Sequence, residues 1–164
     1  MKKVGILMGS DSDAVIVQKA IDVLEEFAVD FEVHVYSAHR TPDEALNFSK
    51  NARKNDFAVI LCAAGMAAHL AGVVAAHTTL PIIGIPIESG SLKGMDALLS
   101  TVQMPPGIPV ATVGINAAKN AALLAIEMMS IYDDELASKL QLAREKNTKS
   151  VLDKNREIEK RFNK

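Results

Sequence analysis

Five short apolar runs, each followed by a stretch of helical character, constrain this chain more than any other feature. The runs cover residues 4–8, 31–36, 58–62, 81–85 and 109–113. Helical patterns follow near 14–27, 42–54, 67–77, 94–101 and 116–129. Regular alternation of this kind predicts parallel strands, because a helix must carry the chain back to the starting edge before the next strand. The runs are near-continuous in apolar residues, with Glu32 and His34 the polar exceptions in the second. That predicts a sheet covered on both faces.

The expected fold is therefore α/β: a three-layer α/β/α sandwich, flavodoxin-like, around a five-stranded parallel sheet. The strand order assigned to it is 2-1-3-4-5. The chain has 164 residues, which suits one domain, here 1–132. A C-terminal helical extension, 133–164, is charged and has no strand after it. Leu136, Leu140, Ala143, Val151, Leu152 and Ile158 form an interrupted apolar stripe along it. The sheet already has five helices to cover it, so this extension is expected to pack on a neighbouring subunit.

Composition narrows the function. A net charge of -2 supplies no basic footprint for nucleic acid. No apolar run reaches the length of a membrane span. Met1-Lys2-Lys3 leads straight into a strand pattern with no cleavage site, so a cytoplasmic protein is expected. The single cysteine, Cys62, lies within an apolar run and reads as a buried, inert thiol.

The chemistry concentrates where strands end, which is where open α/β sheets bind ligands. After strand two stands Ser37-Ala38-His39-Arg40-Thr41-Pro42. Histidine moves protons near neutral pH, and arginine binds phosphate or carboxylate in a fork. After strand one stands Gly9-Ser10-Asp11-Ser12-Asp13. Its side chains can cap a helix, yet four polar residues in a row exceed what a cap needs. Serine hydroxyls and helix amides suit a phosphate, and a carboxylate suits sugar hydroxyls. After strand three, Ala63-Ala64-Gly65-Met66-Ala67-Ala68-His69-Leu70 is small enough for close approach of a ligand. His69 reads equally as a pocket residue or as a satisfied structural histidine. The turn-rich segments Glu88-Ser89-Gly90-Ser91 and Gln103-Met104-Pro105-Pro106-Gly107 carry weak signals alone. His34, within a strand, and His77, at a helix end, are assigned no role.

Other signatures are missing. No cysteine or histidine pair has metal-ligand spacing, so no metal site is expected. No dinucleotide or Walker glycine loop is present. With no Trp and two Tyr, an aromatic sandwich around flavin is poorly supplied, so no cofactor is expected. A phosphorylation receiver of the same fold would need an aspartate after strand three and a lysine after strand five. Ala63-Ala64-Gly65 and Gly114-Ile115-Asn116 stand there instead. These residues point to proton transfer on an anionic, phosphorylated small molecule.

Four segments in order resemble a known family. They are Met8-Gly9-Ser10-Asp11-Ser12-Asp13, Ser37-Ala38-His39-Arg40-Thr41-Pro42, Ala67-Ala68-His69-Leu70, and Val102-Gln103-Met104-Pro105 with Gly107-Ile108-Pro109. Together they are similar to the 5-(carboxyamino)imidazole ribonucleotide mutases of purine (IMP) biosynthesis, also described as the catalytic subunit of phosphoribosylaminoimidazole carboxylase. The resemblance spans about residues 4–134; beyond Arg144 only helical character is shared.

The resemblance implies an isomerase that moves a carboxylate from the exocyclic nitrogen of a nucleotide substrate to a ring carbon, with no cofactor. It implies His39 as the general acid/base. It implies Ser10, Asp13 and Arg40 as nucleotide ligands, with Asp13 on the ribose and Arg40 on the phosphate. Ser12 and Ser37 would add donors. Ala38, Gly65, Ala68, His69 and Leu70 would complete the substrate site, the loop around Gly65 walling off carbon dioxide. The resemblance also implies a homo-octamer with the C-terminal helix crossing subunits. Met66 and Ala71 depart from the glycine and proline usual in the third segment. Arg40, rather than the lysine of a related direct carboxylase class, favours the mutase class.

Overall fold

Branched aliphatic side chains stiffen the chain toward extended backbone and fill a pleated surface well. The first such run forms β1 (Lys3–Met8), in which every residue after Lys3 is buried. It leads through a short 3-10 turn, Asp11–Asp13, into α1 (Ala14–Glu26). In the computed structural model, which describes residues 2–163, the alternation continues without a break. β2 (Phe31–Val35) precedes α2 (Pro42–Asn51), and β3 (Phe57–Gly65) precedes α3 (Leu70–Ala75). β4 (Ile82–Ile87) precedes α4 (Met95–Val102), and β5 (Ala111–Thr112) precedes α5 (Ala118–Ser130) and α6 (Asp134–Phe162). Met1 and Lys164, the outer ends of the two expected units, lie outside the described residues.

All five strands are parallel, and their order is β2-β1-β3-β4-β5. Alternate side chains of each strand face opposite layers. Val4, Ile6 and Met8 of β1, Val59 and Leu61 of β3, and Ile83 and Ile85 of β4 pack against α1, α5 and the start of α6. Leu7, Ile60, Cys62 and Ile82 face the other way, toward α2 and α3. The result is the expected three-layer sandwich. Cys62 sits inside it, and burial pushes its thiol pKa well up, as for an inert side chain.

Several boundaries differ from the expected ones; α2 stops at Asn51 and β4 continues to Ile87. β3 runs on to Gly65, because β4 offers partners as far as Ile87. α3 begins only at Leu70, because residues 67–69 continue the irregular loop that opens at Met66, whose φ of 56° is left-handed. β5 shrinks to two residues; Pro105, Pro106 and Pro109 just upstream lack the N–H a ladder needs.

The chain leaves β1 for one neighbour, β2, and then crosses to β3 on the other side. Connections therefore diverge at the carboxyl ends of β1 and β3, and a crevice opens between them. α6 is capped by Asp133, whose carboxylate accepts from the Glu135 and Leu136 amides at 3.1 and 3.0 Å. Leu136 and Leu140 are buried against the domain, but every described residue from Arg144 onward is exposed in the single chain.

Candidate active site

The loop after β1 is tied down by its own polar side chains. Ser10 Oγ accepts from the Ser12 amide at 3.4 Å and from the Ser12 hydroxyl at 3.0 Å. The Ser12 hydroxyl also lies 3.3 Å from Asp13 Oδ1. Asp13 is 6% exposed. Burial pushes its carboxyl pKa above the ordinary value, against the Ser12 and Ser10 hydrogen bonds and the more distant charge of Arg40. A carboxylate short of water in this way favours a ligand that brings hydroxyl donors.

The loop after β2 forms a turn around Ser37. Its Oγ accepts from the amides of His39 and Arg40 at 3.3 and 3.2 Å. Thr41 Oγ1 accepts from the Ser37 amide at 2.9 Å, and Pro42 opens α2. Ser37 thus shapes the turn that presents His39 and Arg40. The Arg40 guanidinium donates from Nη2 to the Gly9 carbonyl at 2.6 Å, clasping the β1 and β2 loops together.

The loop after β3 brings His69 across to His39. Their nearest ring nitrogens, His39 Nε2 and His69 Nδ1, are 2.9 Å apart, with the rings close to perpendicular at 84°. One proton lies between these two nitrogens, so one ring donates and the other accepts. The pair can therefore pass a proton to or from a bound molecule without a net change in its own contacts.

These loops enclose a cleft of about 610 Å³. Ser10, Ser12, Asp13, Ser37, Ala38, His39, Arg40, Gly65, Ala68, His69 and Leu70 all line it. Of the two readings of His69, the structure places it in the pocket. Ser89 lines the cleft too, although its turn-rich segment after β4 carried only a weak signal. The clue lay in its position at the carboxyl end of a strand. The segment before β5 lies elsewhere: Gly107, Ile108 and Pro109 border a cleft of about 870 Å³ with Lys50, Arg53 and His77. There His77 Nδ1 is 2.8 Å from the Val73 carbonyl and Arg53 donates to Thr79 Oγ1 at 2.9 Å, so both side chains are occupied with local structure. His34 stacks on Tyr36 with centroids 4.9 Å apart, likewise away from the cleft lining. The larger space lacks an acid/base pair, and the smaller one has it.

Known proteins resemble this chain in sequence and fold. A family profile described as AIR carboxylase matches residues 3–150. The N5-carboxyaminoimidazole ribonucleotide mutase of Pyrococcus abyssi is 57% identical over 145 residues, covering 88% of this chain and 83% of the relative. The enzyme of that name from Thermotoga maritima is 48% identical over 159 residues, covering 97% and 93%. The crystal structure of Treponema denticola PurE superposes with a TM-score of 0.86 at 30% identity, covering 98% of each chain. A match over residues 3–150 establishes that this chain belongs to the AIR carboxylase family.

Proposed function

We propose that this chain is an isomerase of purine biosynthesis that converts 5-(carboxyamino)imidazole ribonucleotide to 4-carboxy-5-aminoimidazole ribonucleotide. The observation that carries the reading is the His39–His69 pair, 2.9 Å apart, in one cleft with Arg40 and Asp13. Relatives named as mutases, about half identical over most of the chain, support it. Arg40 takes the phosphate through the guanidinium N–H groups not held by Gly9. Asp13 accepts from the ribose hydroxyls, which relieves its desolvation. Ser10 and Ser12 add hydroxyl donors at the start of α1, while Ser37 and Ala38 hold the turn against the ligand.

The reaction then divides into two halves. The bond from the exocyclic nitrogen to the carboxylate carbon breaks, and its electron pair stays on nitrogen. Protonated His39 gives that nitrogen a proton. Carbon dioxide and aminoimidazole ribonucleotide are left side by side. The ring carbon next attacks carbon dioxide, and neutral His39 accepts the proton lost from that carbon. His39 ends as it began, and no oxidant, reductant or cofactor is consumed. One imidazole suffices because nitrogen is protonated before carbon is deprotonated. His69 holds the His39 ring and accepts or donates across the shared contact. Gly65, Ala68 and Leu70 wall the gas from water, which would otherwise dilute it.

Assembly belongs to the same proposal. The outer face of α4 exposes Met95, Leu99 and Val102, and α6 exposes Val151, Leu152, Ile158 and Phe162. A helix about 43 Å long at 1.5 Å per residue gains little from propensity and needs a packing surface. These faces are covered by neighbouring subunits in a cytoplasmic homo-octamer, with the 133–164 extension crossing between copies. Light scattering of the purified protein tests this; a monomer that retains activity would refute it.

The activity is tested with two substrates in parallel. One is 5-(carboxyamino)imidazole ribonucleotide alone; the other is aminoimidazole ribonucleotide with modest bicarbonate. A His39→Asn variant runs beside each. Rapid conversion of the first, lost in the variant, is the expected result. Turnover of the second alone would make the protein a direct carboxylase.

A further inference from the structure

The fourth loop of the cleft supplies a group that the mechanism above leaves idle. Ser89, just past β4, faces the end of β3. Its Oγ accepts the Met66 amide N–H at 3.1 Å. Among the described residues the hydroxyl makes no other hydrogen bond, so its proton is free to be donated. Two features of the chain keep it in place. A side chain at Gly65 would put a Cβ 2.6 Å from Ser89 Oγ and 3.3 Å from the Ile87 carbonyl, closer than atoms pack. Met66 holds a left-handed φ of 56°, which costs a residue with a Cβ about 1 kcal/mol or more. The Met66 N–H that Ser89 accepts belongs to this same residue. The chain thus gives up a side chain at one position and accepts strain at the next, and both surround the same hydroxyl.

We propose that Ser89 is a positioning residue whose hydroxyl donates to an oxygen of the migrating carboxylate, and to carbon dioxide between the two half-reactions. The inference rests on the mutase reading. It adds to that reading the group that keeps carbon dioxide oriented toward the ring carbon. Gly65, Ala68 and Leu70 offer only apolar wall. A dry wall confines the gas but does not direct it, and one donor beside the wall does. Ser89 forms and breaks no covalent bond, so the proton balance at His39 is unchanged.

The test follows the carboxylate as it moves. 5-(Carboxyamino)imidazole ribonucleotide labelled with 13C in the carboxylate is converted in unlabelled bicarbonate, and label in the product is measured. The wild-type enzyme is expected to retain most of it. Ser89→Ala is expected to lose label, release aminoimidazole ribonucleotide, and lower kcat by about 10- to 100-fold, the size of one hydrogen bond to a charged group. Its affinity for aminoimidazole ribonucleotide and its melting temperature should stay near wild type, which a purely structural role would not allow. Ser89→Thr keeps the hydroxyl and should keep the label. Gly65→Ala leaves Ser89 in the sequence but displaces it, and should reproduce the loss. If Ser89→Ala does not fold, the last two variants decide the matter. Label retained in Ser89→Ala or Gly65→Ala, with wild-type kcat, overturns the role of Ser89 and leaves the mutase reading intact. Absence of any turnover by the wild-type protein overturns the mutase reading itself.

Discussion

Gly84→Ala is a small substitution with a large calculated effect. Gly84 lies in β4 between Cys62 of β3 and Thr112 of β5, so its backbone is held from both sides. A methyl group there would overlap Thr101 Cγ2 of α4 outright, and would lie 3.3 Å from Val110 Cγ1 and 3.5 Å from Ala71 Cβ. Carbon atoms settle at about 3.5–4.0 Å, so α4 would have to retreat by roughly 1.5 Å. Thr101 cannot easily turn aside: it is 3% exposed, and its hydroxyl donates to the Ala97 carbonyl at 2.7 Å. Overpacking of this kind costs about 1–3 kcal/mol, and the held strand and the stiff β-branched side chain place this case near the upper end. For a domain of this size that is a fall of about 4–12 °C in melting temperature. Thr101→Ser removes the obstructing methyl and costs about 0.5–1.5 kcal/mol alone. In the double variant the alanine methyl fills the vacated space. The two effects should therefore fail to add, with a coupling of at least about 1 kcal/mol toward stability. Thermal unfolding of the four proteins at one concentration measures this. Simple additivity would refute the argument that the approach of α4 to β4 excludes a side chain at Gly84.

Other substitutions bear on the site. His39→Asn should lower kcat by at least about 100-fold, the usual worth of a positioned acid/base, while aminoimidazole ribonucleotide still binds, as calorimetry would show. Arg40→Ala should raise KM by about 10- to 100-fold through loss of a charge-assisted phosphate contact, and should also loosen the clasp on the Gly9 carbonyl; an unchanged KM would remove Arg40 from the phosphate site. Asp13→Asn should move stability and binding in opposite directions. The folded-state pKa of Asp13 is raised by burial. Its contribution to stability is therefore present below the unfolded carboxylate pKa and lost as pH rises through the folded value. At pH 7 the ionised group weighs against the fold, so the variant should melt higher there, with the gap closing below about pH 4. It should bind substrate more weakly at the same time. A lower melting temperature at pH 7 would show that Asp13 is not strained by its burial.

Much of this protein was legible one residue at a time. The near-continuous apolar runs marked β1, β3 and β4, because a strand buried on both faces has no polar position to spare; β2, at the sheet edge, carries Glu32 and His34 and is only half-buried. The loops after β1, β2 and β3 stood out because polar or small residues broke those runs where ligands bind. Ser89 was harder to see. A serine in a turn rich in glycine is ordinary, and only its partner Met66, 23 positions away, makes it notable. The start of α3 was misplaced because alanine favours a helix locally, whereas residues 67–69 belong to the irregular loop that lines the cleft.

The sequence by itself determined the layering and the order of the chemical segments, because both follow from local periodicity and from where polarity interrupts it. The meeting of those segments was decided only in three dimensions. His39 and His69 are 30 positions apart, and Arg40 and Gly9 are 31 apart. Their distances depend on the parallel register of β2, β1 and β3 and on the crossover that opens a crevice beside β1. Register and crossover arise from the packing of whole faces against α1, α5, α2 and α3, a property of the assembled core that no local stretch of residues carries.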